Sequence, residues 1–157
     1  MKRYWPFMFT FALVFYGLGA GFVESFVNYR TWYFIGPDQF RAYHHALSPL
    51  IIAFLVVPVF SMSLFILAMF WLRPPAIPRW SVAISFILAV SIIIISVTVQ
   101  IPIQQQLSQN GLSTDLLDKL ILTDWIRKVL AIINAGLFMW MMSRVLKSGA
   151  ENVADKH

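Results

Sequence analysis

Residues 46–72 contain no charged side chain. At about 27 residues the run exceeds the roughly 20 that a helix needs to cross a hydrocarbon core. Within lipid, only a helix or a closed barrel satisfies every backbone N–H and C=O. Charge-free runs recur at 4–23, 80–100 and 129–143. The β-branched stretch 91–96 would read as a strand in water, but in lipid a lone strand leaves its backbone unpaired, so helix is expected there too. Composition agrees: 59% of the residues are hydrophobic and 12% charged, against about 25% charged in a soluble domain. Neither an ordinary soluble globule nor a disordered chain has that balance. The expected fold is all-α, an integral-membrane four-helix bundle in a single domain, residues 1–147. Its spans lie near 4–27, 46–72, 80–100 and 125–145, and residues 148–157 form a polar tail. There are no cysteines, which excludes disulfides, thiolate metal sites and CxxC redox chemistry.

Lys2 and Arg3 precede the first run. A cleaved signal peptide would have an apolar region of about 7–15 residues and a small-x-small site. This run is longer and 18–20 is a poor site, so it is expected to stay as a span. The net charge is +5. Its basic residues flank apolar runs, which points to anionic lipid and topology and away from nucleic acid. Lys2, Arg3, Arg73, Arg79, Arg144, Lys147 and Lys156 fall on one side, and Arg30, Arg41, Lys119, Arg127 and Lys128 on the other. The short basic turn 73–79 carries most weight. The positive-inside rule then puts both termini in the cytoplasm of a cell that uses its inner membrane in this way. The connections 28–45 and 101–123 would face outward, long enough to carry short helical segments.

The polar residues collect at those outward ends. Glu24, an acid at the end of the first apolar run, is costly to bury unpaired. Asn28 follows four residues later on the same helical face. A salt bridge from Glu24 to Arg127 or Arg41 is the structural alternative to a functional role. His44 and His45 point about 100° apart on a helix, so one faces the bundle and the other the interface. That spacing does not suit a shared metal, which needs three or four ligands at defined positions. Pro37 and Asp38 read as a helix start. Gln100 and Gln104 share a face around Pro102, fit either to bind a polar ligand group or to satisfy carbonyls freed by the proline. Thr123 or Asp124 can cap the last span. Arg127 and Asn134 continue its stripe, and a buried Asn134 needs a partner on another helix. Arg127 and Lys128 are expected near the interface, snorkelling or paired. Pro49 and Pro58 should kink the second span. Gly17 and Gly21 form a GxxxG packing face, used within the bundle or between copies of the chain in a homo-oligomer.

Two segments carry a resemblance. The first is residues 24–32, Glu-Ser-Phe-Val-Asn-Tyr-Arg-Thr-Trp, followed by His44 or His45. The second is Ile101-Pro102-Ile103-Gln104 through Leu107, then Thr123-Asp124-Trp125-Ile126-Arg127. With four spans in a chain of this size, they resemble the anthrone-oxygenase-like family of small membrane proteins. Ile101-Pro102-Ile103 and Trp125-Ile126-Arg127 stand where that family has N-x-P-L/I and W-x-R, with Gln100 departing from the Asn. The resemblance implies the four-span fold. It also implies, for members linked to polyketide pathways, oxidation of anthrones to anthraquinones.

Three functions are therefore expected to compete. One is an oxidoreductase- or oxygenase-like membrane enzyme acting on an apolar small molecule. In it Glu24, His44 or His45 serves as base and Arg127 holds a developing oxyanion. Asn28, Tyr29, Trp32, Gln100, Gln104, Asp124 and Asn134 would line the substrate site, with any cofactor or metal unassigned. The second is a non-catalytic lipid- or cofactor-binding subunit of a larger complex. The third is a small proton-coupled transporter, which Glu24 fits poorly because transporter sites lie at the midplane.

Overall fold

The computed structural model describes residues 4–154. Lys2, Arg3 and Lys156, used in the charge balance, and the end of the polar tail lie outside the described residues. Four helices are long and apolar enough to cross a membrane: span 1 (Trp5–Phe34), span 2 (Pro37–Leu72), span 3 (Arg79–Asn110) and span 4 (Thr114–Glu151). Among the described residues there is no strand. The fold is an all-α four-helix bundle. Only 17–22% of each apolar window is buried inside it. The rest, including Phe54, Leu64 and Ile87, faces outward, an apolar surface far larger than water-soluble monomers carry.

The spans run alternately up and down. The turn at 73–78 lies at the end where the described chain begins and finishes, called here the terminal end. The distal end holds only the brief turns 35–36 and 111–113. The connections expected at 28–45 and 101–123 are therefore almost wholly helical and prolong the spans. A polar residue on one face does not interrupt the backbone hydrogen-bond ladder, so charge marks where lipid ends and not where the helix ends. Span 2 begins at Pro37, after Gly36, where a missing N–H is harmless. Span 3 stops at Gly111, whose φ of 89° lies in the left-handed region that glycine tolerates. At 1.5 Å per residue the 36 residues of span 2 reach about 54 Å, well past a core of about 30 Å.

The side chains form two separate cores. Near the terminal end, Phe7, Val14, Ile66, Met69, Val82, Phe138 and Met141 pack together. At the distal end Tyr29, Trp32, Phe40, Ile103, Leu107, Leu117 and Leu120 make a second core out of the helical extensions.

Three spans are interrupted by a π turn: Glu24–Asn28, Ile52–Val56 and Ser96–Gln100. Two have a visible cause. Pro58 and Pro102 follow them within two residues, and a proline cannot donate to the carbonyl four residues back. Val57 N–H bonds to Ile52 O, and Ile101 N–H to Ser96 O, five residues back in each case. The segment Pro37–Ile51, by contrast, is α-helical through Pro49. The turn at Glu24–Asn28 has no proline near it.

Candidate functional site

Between the two cores the bundle is hollow. A cavity of about 540 Å³ touches all four spans, within the usual size of ligand pockets. Its deeper wall is apolar, from Gly17, Leu55, Val59, Ile92 and Ala131. Towards the distal end it becomes polar, with Tyr29, His44, Ser48, Ser96, Gln100, Gln104, Asp124, Arg127 and Lys128. From Gly17 to Tyr29 it follows span 1 for about 18 Å.

Asp124 is the centre of the polar end. It is 2% exposed. One carboxylate oxygen accepts from Arg127, through Nε at 2.8 Å and through a second guanidinium nitrogen. The other accepts from the Ser25 hydroxyl and faces Lys128 Nζ at 3.2 Å. Arg127 also donates to Ser96 Oγ at 3.0 Å. One acid thus ties span 4 to span 1 directly and to span 3 through Arg127. The helical register explains both cations: 124, 127 and 128 lie on one face at i, i+3 and i+4. Lys128, expected near the interface, is buried. Its ammonium sits 4.5 Å from the Phe26 ring centre and 4.4 Å from that of Trp125, so a carboxylate and two aromatic faces replace water around it.

Glu24 is buried as well, and its partner is Asn28, whose amide donates to Oε2 at 2.6 Å. Oε1 is buried without a hydrogen-bond partner. Among the described residues the ion pairs of Arg127 and Lys128 both go to Asp124. The salt bridge from Glu24 to Arg127 or Arg41 is thus not formed, and Arg41 turns to the Asn110 carbonyl at 3.5 Å. Sequence separation explains the outcome: Asp124 and Arg127 are already neighbours on one helix, whereas Glu24 must reach across. Glu24 and Asn28 are not part of the cavity wall.

His44 is buried on that wall while His45 is exposed, so the angular offset of the pair places one ring inside and the other outside. The His44 ring stands edge-on to Trp32 at 5.3 Å, with Ser48 Oγ 3.5 Å from Nδ1. Trp32 is wholly buried in the distal core and does not line the cavity. Gln104 donates to the Tyr29 hydroxyl at 3.0 Å, and Gln100 to Thr123 Oγ1 at 2.9 Å. Asn134, expected at the substrate site, lies elsewhere: Ser85 donates to its Oδ1 at 2.7 Å between spans 3 and 4. It supplies the interhelical contact that a buried amide needs. A Cβ at Gly17 would stand 3.5 Å from Val59, an ordinary contact with span 2, while Gly21 borders the cavity with nothing within 4 Å. Both glycines of the GxxxG spacing thus serve the interior of this chain.

Sequence reasoning missed Ser25, Ser48, Ser96 and the burial of Lys128. The signal for Lys128 was its i, i+4 spacing from Asp124. The serines sit in apolar runs, where hydroxyls commonly bond back to their own helix. Among the described residues no group of three or more His, Asp or Glu is placed to hold a metal ion. Comparison with protein-family models, with curated proteins and with solved structures gives no match for this chain.

Proposed function

We propose that this is a multi-pass membrane protein that takes an apolar-bodied small molecule into the distal half of its bundle. We further propose that it acts on the polar end of that molecule as an oxidoreductase- or oxygenase-like enzyme. The observation that carries the reading is the shape and polarity of one cavity, apolar for most of its length and ending in Tyr29, His44, Gln104 and Arg127. On this reading the distal end faces outward and the termini are cytoplasmic, in line with the basic turn at 73–79. His44 is the base, since its imidazole sits on the wall, held edge-on to Trp32 with Ser48 Oγ 3.5 Å from Nδ1. Arg127 stabilises negative charge developing on a substrate oxygen. Glu24 is a proton reservoir beside the wall.

The resemblance to anthrone-oxygenase-like proteins supplies the reaction to test. There a ring methylene gains one atom of O₂ as a carbonyl oxygen, and its two hydrogens leave with the other atom as water. Purified protein is given anthrone under air, and oxygen uptake and anthraquinone are followed for wild type, His44→Ala and Arg127→Ala. Turnover lost in both variants, with folding retained, supports the enzyme. Equal rates in all three and in protein-free detergent overturn it.

One observation favours a second reading, a non-catalytic binding subunit. Asp124, Arg127 and Lys128 largely satisfy one another, as a structural latch would. Native mass spectrometry that finds a lipophile bound to a protein without turnover would select it.

A further inference from the structure

The cavity has an entrance, and its wall names the ligand's head. The wall residues that are also exposed are Ile52 and Phe60 on span 2 and Ile101 and Gln105 on span 3, whereas those contributed by spans 1 and 4 are buried or half-buried. Among the described residues, the one hydrogen bond between spans 2 and 3 is Arg41 to the Asn110 carbonyl, at the distal tip. Every other pair of neighbouring spans has a tie along the cavity: Tyr16 to Phe54, Ser25 to Asp124, and Gln100 to Thr123. The gap between spans 2 and 3 is thus the side left unlatched. Three of the four rim residues, Ile52, Phe60 and Ile101, are apolar, as suits an opening to lipid, and Gln105 stands on the distal side.

The head group follows from hydrogen-bond accounting at Gln100. Thr123 Oγ1 donates its proton to the Lys119 carbonyl at 2.7 Å, so towards Gln100 it only accepts. That fixes the amide with Nε2 on Thr123 and Oε1 turned away. Gln100 lines the cavity, and its Oε1 is buried without a partner. A buried acceptor without a donor is costly, and a ligand O–H would relieve it. On the same wall Tyr29 accepts from Gln104, which leaves its own phenolic proton to give. Both cations are engaged, Arg127 with Asp124 and Ser96, Lys128 with Asp124 and two rings. In the resting site each cation thus has a partner, and the unmet polar group on this wall is the Gln100 acceptor.

We propose that the cavity takes a neutral, hydroxyl-bearing amphiphile directly from the bilayer through the gap between spans 2 and 3, with the hydroxyl donating to Gln100 and the apolar tail lying along Gly17, Leu55 and Ile92. This rests on the reading above that the cavity holds an apolar-bodied molecule.

The test uses the full chain in phosphatidylcholine vesicles with a diazirine-bearing long-chain alcohol as photoprobe. The unlabelled alcohol, its methyl ether and the matching fatty acid compete. The alcohol is expected to compete about tenfold better than the other two, and Gln100→Met to abolish that preference. Thr123→Ser keeps the hydroxyl that orients the amide, and retains the preference. The chain has no native cysteine, so Ile52→Cys, Ile101→Cys and the control Leu64→Cys can each carry a bulky maleimide. Labels at 52 and 101 are expected to slow probe uptake at least tenfold, and the label at 64, exposed but off the rim, to leave it unchanged. Equal competition by ether or acid overturns the head-group assignment. Uptake indifferent to labels at 52 and 101 overturns the entrance. If none of the three compounds competes, the underlying reading of the cavity fails with it.

Discussion

The Tyr16 hydroxyl donates to the Phe54 carbonyl at 2.6 Å, and Phe54 lies four residues before Pro58. That carbonyl is the one a proline leaves without its helical partner. Span 1 therefore repairs a gap in the backbone of span 2 at the level of the cavity.

Tyr16→Phe should cost about 1 kcal/mol, the net worth of one neutral hydrogen bond. In a Pro58→Ala background, where a backbone N–H is restored, the same substitution should cost close to nothing. Thermal unfolding in detergent of the four proteins of this cycle measures the difference. Equal costs in both backgrounds would separate the tyrosine from the proline.

Asp124 holds two cations away from water. Asp124→Asn should destabilise the fold by about 3–5 kcal/mol, the range for breaking a buried pair and stranding a charge. Adding Lys128→Met removes one stranded cation and should recover part of the loss. A double variant no more stable than Asp124→Asn would show that Lys128 draws its stability from the Phe26 and Trp125 rings alone.

Gly21 tests the cavity without disturbing packing. A Cβ there meets nothing within 4 Å, whereas at Gly17 it meets Val59 at 3.5 Å. Gly21→Leu should fill the hollow with little change in melting temperature and displace any co-purifying lipophile, read by native mass spectrometry. Gly17→Leu should lower the melting temperature by crowding span 2.

Glu24→Gln replaces a buried carboxylate by an amide that still accepts from Asn28. Stability should be unchanged or higher, because the variant no longer buries a charge with a single amide partner. Turnover should fall at least tenfold if the carboxylate moves protons. Full turnover in a stable variant would reduce Glu24 to a helix-packing residue.

The four spans, the split between His44 and His45 and the gathering of polar groups at one end were legible because each follows from local periodicity or from the cost of charge in lipid. The pairing of Asp124 with Arg127 was legible as an i, i+3 spacing. What escaped depends on distances between helices. Hydropathy ended span 1 near residue 27, since it could not see that Tyr29, Trp32, Phe40 and Leu107 would build a second core around polar neighbours. The π turn at Glu24–Asn28 left no mark in the sequence, in contrast to those before Pro58 and Pro102. Asn134 was placed with the substrate groups by its stripe on span 4, but Ser85 on the facing helix decides its role.

The distal core is a roof. Trp32, Phe40, Leu117 and Leu120 are wholly buried at the distal end of the hollow, so packed side chains stand over much of it on that side. For a guest that arrives sideways, occupancy is set by mole fraction in the membrane and not by molarity in the surrounding solution. Adding inert lipid should empty the site at constant total guest, and adding buffer should not, for a guest that stays partitioned in the bilayer.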